Sequence, residues 1–420
     1  MYDAGARALP GSDLTGCGPL LASPSDRAGG LRGQVFVHVR AKGQASRADI
    51  ARGLGISAGS VTALTADLIQ SGFLAEVEGQ PREAGRGRPP VALRVVGGDR
   101  FVIGIKVADS RHSAVLTDFA GRMVADATLP ARQTRKPAAA LVAELAALVD
   151  RLLTDAGRSL ADVAGVGVGI SGIVEHETGQ VPWSPLIAGR DAPLAALLTE
   201  RLGVPVRIDN DANVLTLAEL WFGTGRDRSD FAVVTVEHGV GMGLVLNNRL
   251  FRGGRGMGME LGHTKVALDG ALCRCGQRGC LEAYLADYAL AREAATALDR
   301  PADAAGQMPD NGALIDALFA EAKTGNAAAA TIFRRAGRYL AVGLANVVQL
   351  FDPALIILSG ERMRYDYLYS DAVLRDMQAL TLAEGRTSCE IATHVWGDLV
   401  WAQGATALAL ADATEALLGA

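Results

Sequence analysis

The sequence predicts an α/β protein of two similar lobes, preceded by a small winged helix-turn-helix domain. Three observations carry that expectation. The first is an uneven charge. The chain has a net charge of −5, yet residues 31–97 hold nine Lys/Arg against five Asp/Glu, which is +4. With residues 1–30 at −1, residues 98–420 are left at −8. A basic segment joined to an acidic one suggests nucleic acid at one end and a different ligand at the other. The second is a repeat: short, glycine-rich apolar strands begin at Phe101 and begin again, in a similar series, at Phe231. The third is "CRCGQRGC", which gathers three of the five cysteines between Cys273 and Cys280, just after His263.

At 420 residues the chain exceeds one ordinary domain. It is 49% hydrophobic and 21% charged, and no apolar run nears the roughly 18 residues that span a bilayer. Residues 1–30 are rich in Gly, Ala, Ser and Pro and lack the charged start and apolar core of a signal peptide. They read as a flexible leader, and the protein as cytoplasmic. In a reducing compartment, clustered cysteines suggest a metal more than a disulfide.

Residues 31–97 contain three helical patches. Val35 and Val39 mark the first. Ser46 can cap the second, which turns Ile50, Ala51 and Leu54 inward and stops at Gly55. Ser57 can cap the third, with Val61, Leu64, Leu68 and Ile69 on one face. Two short helices joined by a glycine turn form a helix-turn-helix. The other face of the third helix carries Ser57, Gly59, Ser60, Thr62 and Ala63, small enough to sit deep in a major groove. "GFLAEVE" and "PPVALRVV" read as the strands of a wing. The segment between them holds Arg82, Arg86 and Arg88 in "GQPREAGRGRPP", which can enter a minor groove or be a solvated hairpin tip. Ser46, Arg47, Ser57, Gly59, Ser60, Thr62, Ala63, Arg86 and Arg88 are the candidate DNA contacts.

In the acidic body, "FVIGIKV", "HSAVLTDFAGRMVADATL" and "VAGVGVGISG" read as strands, and "PAAALVAELAALVDRLLTDAG" as an amphipathic helix. The second series runs through "FAVVTVEHGVGMGLVLNNRLF", a helix from Leu281 and "PALIILSG". Duplication of one α/β unit implies two lobes with a cleft between them. The expected boundaries are residues 98–228 for the first lobe, with a terminal helix over 400–419 packing back on it, and residues 229–399 for the second.

Three motifs are candidates for chemistry. In "RIDNDANVLTLAE" a strand ends at Ile208 and a helix begins near Ala212, so Asn210 and Asp211 stand at a strand's carboxyl end. A carboxylate there can bind or deprotonate a sugar hydroxyl, and Asp and Asn are equally good helix caps; both readings stay open. "HGVGMG", from His238 to Gly243, can cradle a phosphate or make a β-turn. Glu237 and His238 add negative charge and bulk there, which favours the turn. In the third motif, His263, Cys273, Cys275 and Cys280 offer one nitrogen and three sulfurs to a tetrahedral Zn2+, a closed and therefore structural site. Such a site would fix the loop bearing Glu260 and Glu282, two carboxylates suited to vicinal diols. Cys17 and Cys389 lie far from this cluster in sequence and are assigned no role.

Together these residues resemble the ROK family transcriptional regulators of the NagC, Mlc and XylR type, over nearly everything from Gly33 onward. The most specific part is Glu260-x-x-His263 followed by Cys273-x-Cys275-Gly276-x-x-Gly279-Cys280-x-Glu282. The resemblance implies an actin/hexokinase-like, ribonuclease-H-like body. It implies zinc on His263 and the three cysteines, and sugar contacts from Asn210, Asp211, Glu260, His263 and Glu282. The family also contains ATP-dependent sugar kinases, which open with an Asp-x-Gly-Gly-Thr phosphate loop. Here that stretch is "GIKVADS", with Lys106 in place of the Asp and Ala108-Asp109 in place of the Gly pair. The second phosphate loop, Gly-Thr-Gly-x-Gly in kinases, is Glu237-His238-Gly239-Val240-Gly241. The adenosine-side Gly-Gly is Ser359-Gly360-Glu361. Asp211 keeps the position of the kinase base, but a base without a phosphate cradle has nothing to catalyse. Leu186 stands where the family often has an Asn. The expectation is a sugar-responsive repressor, not an enzyme, that binds a palindromic operator as a homodimer or a dimer of dimers. The alternatives are a sugar kinase with an added DNA domain, or a regulator with a vestigial sugar site and a protein signal.

Overall fold

The computed structural model describes residues 16–21, 30–77, 91–131, 135–299, 310–366, 370–382, 388–394 and 397–419. Arg82, Arg86 and Arg88 lie outside them.

The helix-turn-helix forms where its caps predict. Helix α1 (Leu31–Lys42) ends at Gly43 and is followed by strand β1 (Gln44–Ser46). Ser46 then caps α2 (Arg47–Leu54): its hydroxyl accepts from the Asp49 N–H while the Asp49 carboxylate takes the Ser46 N–H. Gly55 ends α2 in the left-handed region, at φ 66°, where a side chain would strain the backbone. Ser57 caps α3 (Ala58–Gln70). Strands β2 (Leu74–Glu76) and β3 (Ala92–Val95) complete a three-stranded sheet of order β1-β3-β2, antiparallel throughout. Val35, Phe36, Val39, Ile50, Val61, Leu68 and Leu93 are its fully buried core.

Two compact units contain the chain. The first holds this domain and a sheet of order β10-β7-β4-β5-β6. Its strands are β4 (Phe101–Val107), β5 (Arg111–Asp118), β6 (Met123–Pro130), β7 (Val163–Ile170) and β10 (Val206–Asn210). β4, β7 and β10 run parallel, while β5 and β6 continue β4 as an antiparallel meander. Helices α4 (Ala138–Asp155) and α5 (Leu194–Leu202) bury Ile103, Ile105, Val166 and Val168 on one face. Strands β8 (Ile173–Glu175) and β9 (Gln180–Trp183) make a small hairpin, and α6 (Asp211–Trp221) follows β10 directly.

The second unit repeats the plan. The second sheet has the order β13-β12-β11-β14-β15; β11 (Phe231–Val236), most of β12 (Val240–Leu246), β14 (Leu355–Ser359) and β15 (Glu390–His394) belong to the second unit, whereas the edge strand β13 (Arg249–Phe251) groups with the first. β11, β14 and β15 are parallel. Read in chain order, each strand takes the place of its counterpart in the first sheet, which is the expected duplication. Helices α7 (Glu282–Leu285), α8 (Asp287–Ala297), α9 (Asn311–Lys323), α10 (Ala327–Phe351) and α11 (Asp371–Leu380) complete the unit.

The last helix, α12 (Leu399–Leu418), belongs to the first unit. It lies against the face of β4 and β7 opposite α4 and α5. Glycine is required there: a Cβ on Gly104 would sit 1.9 Å from the Ala402 carbonyl oxygen, and one on Gly167 1.9 Å from that of Ala405. Gly404 does the same for α6, since its Cβ would meet the Val214 carbonyl at 1.9 Å.

Two boundaries differ from the sequence reading. Residues 245–257 group with the first unit, not the second. The Asn248 N–H bonds to the Ser229 carbonyl at 2.7 Å, and Arg252 pairs with Asp209 at 2.7 Å. Residues 16–21 of the expected flexible leader are packed against the first unit, with Cys17 only 2% exposed. Backbone hydrogen bonds hold them, which composition does not reveal.

Candidate functional site

His263, Cys273, Cys275 and Cys280 converge. One ligand atom from each lies within 4.8 Å of all the others. Cys273 Sγ is 3.7 Å from His263 Nδ1, and Cys275 Sγ is 3.7 Å from Cys280 Sγ. A tetrahedron with Zn–S bonds of 2.3 Å has edges of about 3.8 Å, so the donors fit one such ion. The knuckle is shaped by its glycines. Gly276 and Gly279 have φ of 85° and 74°, and a Cβ on Gly279 would fall 1.6 Å from the Ala267 carbonyl oxygen. Lys265 Nζ donates to Cys280 Sγ at 2.9 Å, which fixes the direction of that side chain.

The knuckle reaches both nearby carboxylates. His263 offers Nδ1 to the cluster and turns Nε2 toward Glu260, whose carboxylate is 3.9 Å away. A ligand imidazole oriented through its second nitrogen is the usual arrangement around a metal. On the other side Glu282 Oε1 lies 3.6 Å from Cys273 Sγ and 3.5 Å from the Tyr288 hydroxyl. Tyr288 also donates to Cys273 Sγ at 3.5 Å, and Arg274 stacks 4.1 Å over its ring. Burial first, then the bond to Cys273 and the Glu282 charge, raise the Tyr288 pKa and keep the phenol a donor. Tyr288 was not among the sequence candidates.

Asn210 and Asp211 occupy the carboxyl end of β10, in the other unit. β10 runs on to Asn210, two residues past the expected end, because it pairs with β7 as far as Ile170. Asn210 is the helix cap: its Oδ1 accepts from the Ala212 N–H and its Nδ2 donates to the Gly172 carbonyl, both at 2.8 Å. Asp211 accepts a 2.5 Å bond from the Ser171 hydroxyl, and the Ser184 hydroxyl in turn donates to the Ser171 carbonyl. Asn210 caps the helix, and Asp211, half-buried and bonded by Ser171, also accepts the Ala212 N–H at 2.9 Å. Behind them the buried Asp209 receives Arg252 and Asn213, each at 2.7 Å. Leu186 packs partly against the core, and its N–H bonds to Ser184 Oγ.

The three stretches compared above with kinase phosphate loops make internal contacts. Lys106 Nζ sits 3.6 Å above the Trp401 ring, and the Ala108 N–H is donated to His112 Nδ1 at 3.3 Å. Burial lowers the pKa of His112, although its bond to Glu144 opposes this. In the second stretch the chain turns at residues 237–239, with the Glu237 N–H bonded to the Gly239 carbonyl at 2.9 Å, and the rest of "HGVGMG" lies in β12. His238 Nδ1 lies 2.6 Å from Asp287, which is 1% exposed. In the third, Gly360 has φ 112°, and a Cβ on it would meet the Val236 carbonyl at 2.8 Å. Two residues on, the buried Arg362 donates to the same Asp287.

In the DNA-binding domain the candidates divide. Ser57, Gly59, Ser60, Thr62 and Ala63 are exposed along α3. Ser46 is 8% exposed and engaged in its cap. Arg47 is used inside the domain, bonding Thr65 at 3.1 Å and Glu76 at 3.0 Å. Arg47 thus ties α2 to α3 and β2, while Ser46 is engaged at the start of α2.

A fold of two repeated α/β units behind a winged helix-turn-helix, with a knuckle of one histidine and three cysteines in the second, defines a class of sugar-sensing and sugar-phosphorylating proteins. Residues 102–412 match the ROK family model, and the chain belongs to the ROK family. It is 30% identical over 323 residues to a putative xylose repressor of Caldicellulosiruptor sp. (strain Rt8B.4), covering 75% of this chain and 79% of that one. It is 29% identical over 353 residues to the DNA-binding transcriptional dual regulator NagC of Escherichia coli (strain K12), covering 83% and 84%. The crystal structure of a ROK family transcriptional regulator, a homologue of E. coli MLC protein, superposes with a TM-score of 0.76 at 24% identity, over 92% of this chain and 97% of that one. The body thus has the actin/hexokinase-like fold that the family resemblance implied.

Proposed function

We propose that this chain is a sugar-responsive transcriptional repressor of carbohydrate-metabolism genes, working in the cytoplasm. The observation that carries the reading is the exposed, small-residue α3 of a helix-turn-helix joined to a ROK-family body; the departures of the three kinase-like stretches from the kinase pattern support it. A kinase needs those stretches open to hold ATP. A sensor needs only the sugar contacts, and these remain. Asp211, oriented by Ser171, accepts a sugar hydroxyl, with Asn210 beside it. Glu260, His263 and Glu282 supply the other contacts. Zn2+ on His263, Cys273, Cys275 and Cys280 is structural and fixes the positions of Glu260 and Glu282. The relatives named for xylose and N-acetylglucosamine support a monosaccharide or its derivative as effector. α3 enters the major groove, Arg86 and Arg88 the minor groove, and a homodimer or dimer of dimers matches a palindromic operator.

The test is fluorescence anisotropy on DNA from upstream of the gene for this chain, titrated with D-xylose, D-glucose, N-acetylglucosamine and their phosphates. Tight binding that one sugar reverses supports the proposal. Binding indifferent to all of them moves the signal to a protein partner. ATP-dependent phosphorylation of any of the sugars overturns the non-enzyme reading.

A further inference from the structure

Residues 16–21 form a strap that neither the sugar contacts nor the helix-turn-helix explains. It lies across the carboxyl ends of α1 and α6. The Cys17 N–H bonds to the Arg40 carbonyl at 2.9 Å, the Gly18 N–H to the Trp221 carbonyl at 2.8 Å, and the Leu20 N–H to the Arg226 carbonyl at 2.7 Å. Arg226 closes the arrangement. Its Nε donates to the Gly18 carbonyl at 2.9 Å and its Nη2 to the Ala41 carbonyl at the end of α1. Arg40, from α1, stacks 4.9 Å over Trp221 and donates to Thr414 Oγ1 of α12 at 2.8 Å.

Both guanidiniums are buried, Arg226 at 1% and Arg40 at 2% exposure. Among the described residues neither forms an ion pair within 4.0 Å, although the Asp227 charge acts on Arg226, and Arg40 Nε has no hydrogen-bond partner. A buried cation whose hydrogen bonds go to carbonyls and a hydroxyl depends on those acceptors staying in place. A shift of either helix end would therefore break several of these contacts together.

α6 joins this clasp to the ligand residues. It starts at Asp211, next to its Asn210 cap, and ends at Trp221, about 16 Å away for its 11 residues. Every residue from Ala212 to Trp221 is buried, and Gly404 fits against Val214 with no room for a Cβ. So enclosed a helix moves as a rod.

We propose that Arg226 is the positioning residue that couples the sugar half-site to the DNA-binding domain: α6 carries a displacement from Asp211 to Trp221, and Arg226 with the strap converts it into a reorientation of α1 and hence α3. The proposal rests on the sugar-sensing reading above. A ligand acts through its different affinity for the two clasp positions.

The test uses the full chain and the same upstream DNA and sugar panel. Sugar affinity is measured by calorimetry, and operator affinity by anisotropy without and with saturating sugar. In the unmodified chain the two operator affinities differ by about 5- to 150-fold, the usual span of such coupling. Arg226→Met keeps each separate affinity within about threefold and brings that ratio to within about twofold of one. An Arg226→Met chain that binds both ligands with an unchanged ratio overturns the proposal. Should that variant fail to fold, amide hydrogen exchange on the unmodified chain decides. Operator DNA, and any sugar that binds, then change the exchange of the Cys17, Gly18 and Leu20 amides together. Unchanged exchange at all three with ligand bound overturns the clasp. Sugar binding without DNA binding, or the reverse, sinks the functional reading, while the exchange result still judges the clasp by the ligand that does bind. A chain that binds neither sinks both.

Discussion

Arg362 holds Asp287 by two points, Nε on one carboxylate oxygen at 2.5 Å and Nη2 on the other at 2.6 Å, with both side chains less than 5% exposed. Burial alone would raise the Asp287 pKa, but the bonds from His238 and Arg362 outweigh it and hold the carboxyl at about 2. The folded value lies below the unfolded one of about 3.9, so the stabilisation is complete above that pH and lost as pH falls toward 2.

Asp287→Asn should therefore lower the unfolding free energy by about 3 kcal/mol at pH 7, because it strands a buried guanidinium. The deficit should shrink between pH 5 and pH 2. Urea denaturation across that range checks it, and a deficit constant with pH would contradict the ion-pair account.

The metal should be measurable directly. Atomic emission on the purified chain should find one zinc per protomer, and a strong chelator should lower the melting temperature. Gly279→Ala should abolish zinc retention and destabilise the chain by a few kcal/mol, since its Cβ has no space and its φ is positive. Full zinc retention by this variant would mean that the knuckle is looser than its geometry indicates.

Asp211→Asn removes the charge that Ser171 orients while preserving shape. Hydrogen bonds to a charged group are worth about 1.5–3 kcal/mol, so sugar affinity should fall roughly 10- to 100-fold. Melting temperature and zinc content should stay unchanged. Calorimetric titration with the effector is the measurement, and an unaltered affinity would remove Asp211 from the site.

Ser60→Glu places a carboxylate on the exposed face of α3, against DNA phosphate. Operator affinity should drop at least about tenfold, with little change in stability. Arg47→Ala should act differently, through loss of the bonds to Thr65 and Glu76, and should show in the thermal unfolding of the domain. Comparing the two by anisotropy and circular dichroism separates groove contact from scaffold.

Much of this was legible in the chain itself. Ser46, Gly55 and Ser57 delimit α2 and α3 because capping is local chemistry. The convergence of His263, Cys273, Cys275 and Cys280 is legible in their spacing, because the two glycines turn the chain back within eight residues. The duplication shows because strand pattern survives where identity does not. What was missed has a common cause. β1 is three residues, Gln44–Ser46, without alternation, and exists only through pairing with β3. The strap is held by backbone groups that every residue carries. Ser171, Tyr288 and Arg226 each come from a segment with no motif, and only the tertiary arrangement gives them partners. Ser46 and Arg47, both candidate DNA contacts, make hydrogen bonds within the domain that the sequence pattern does not reveal.

The placement of α12 also governs how the molecule is made. β4 and β7 are made well before α12, so the face that receives this helix stays bare until residues 399–418 have been synthesised. Gly104 and Gly167 are shaped to that helix, and the Gly30 N–H finds its acceptor at Gly419, just beyond it. An intermediate lacking α12 thus exposes apolar strand surface at the centre of the first sheet, so the order of synthesis leaves this unit open to misassembly for most of its making.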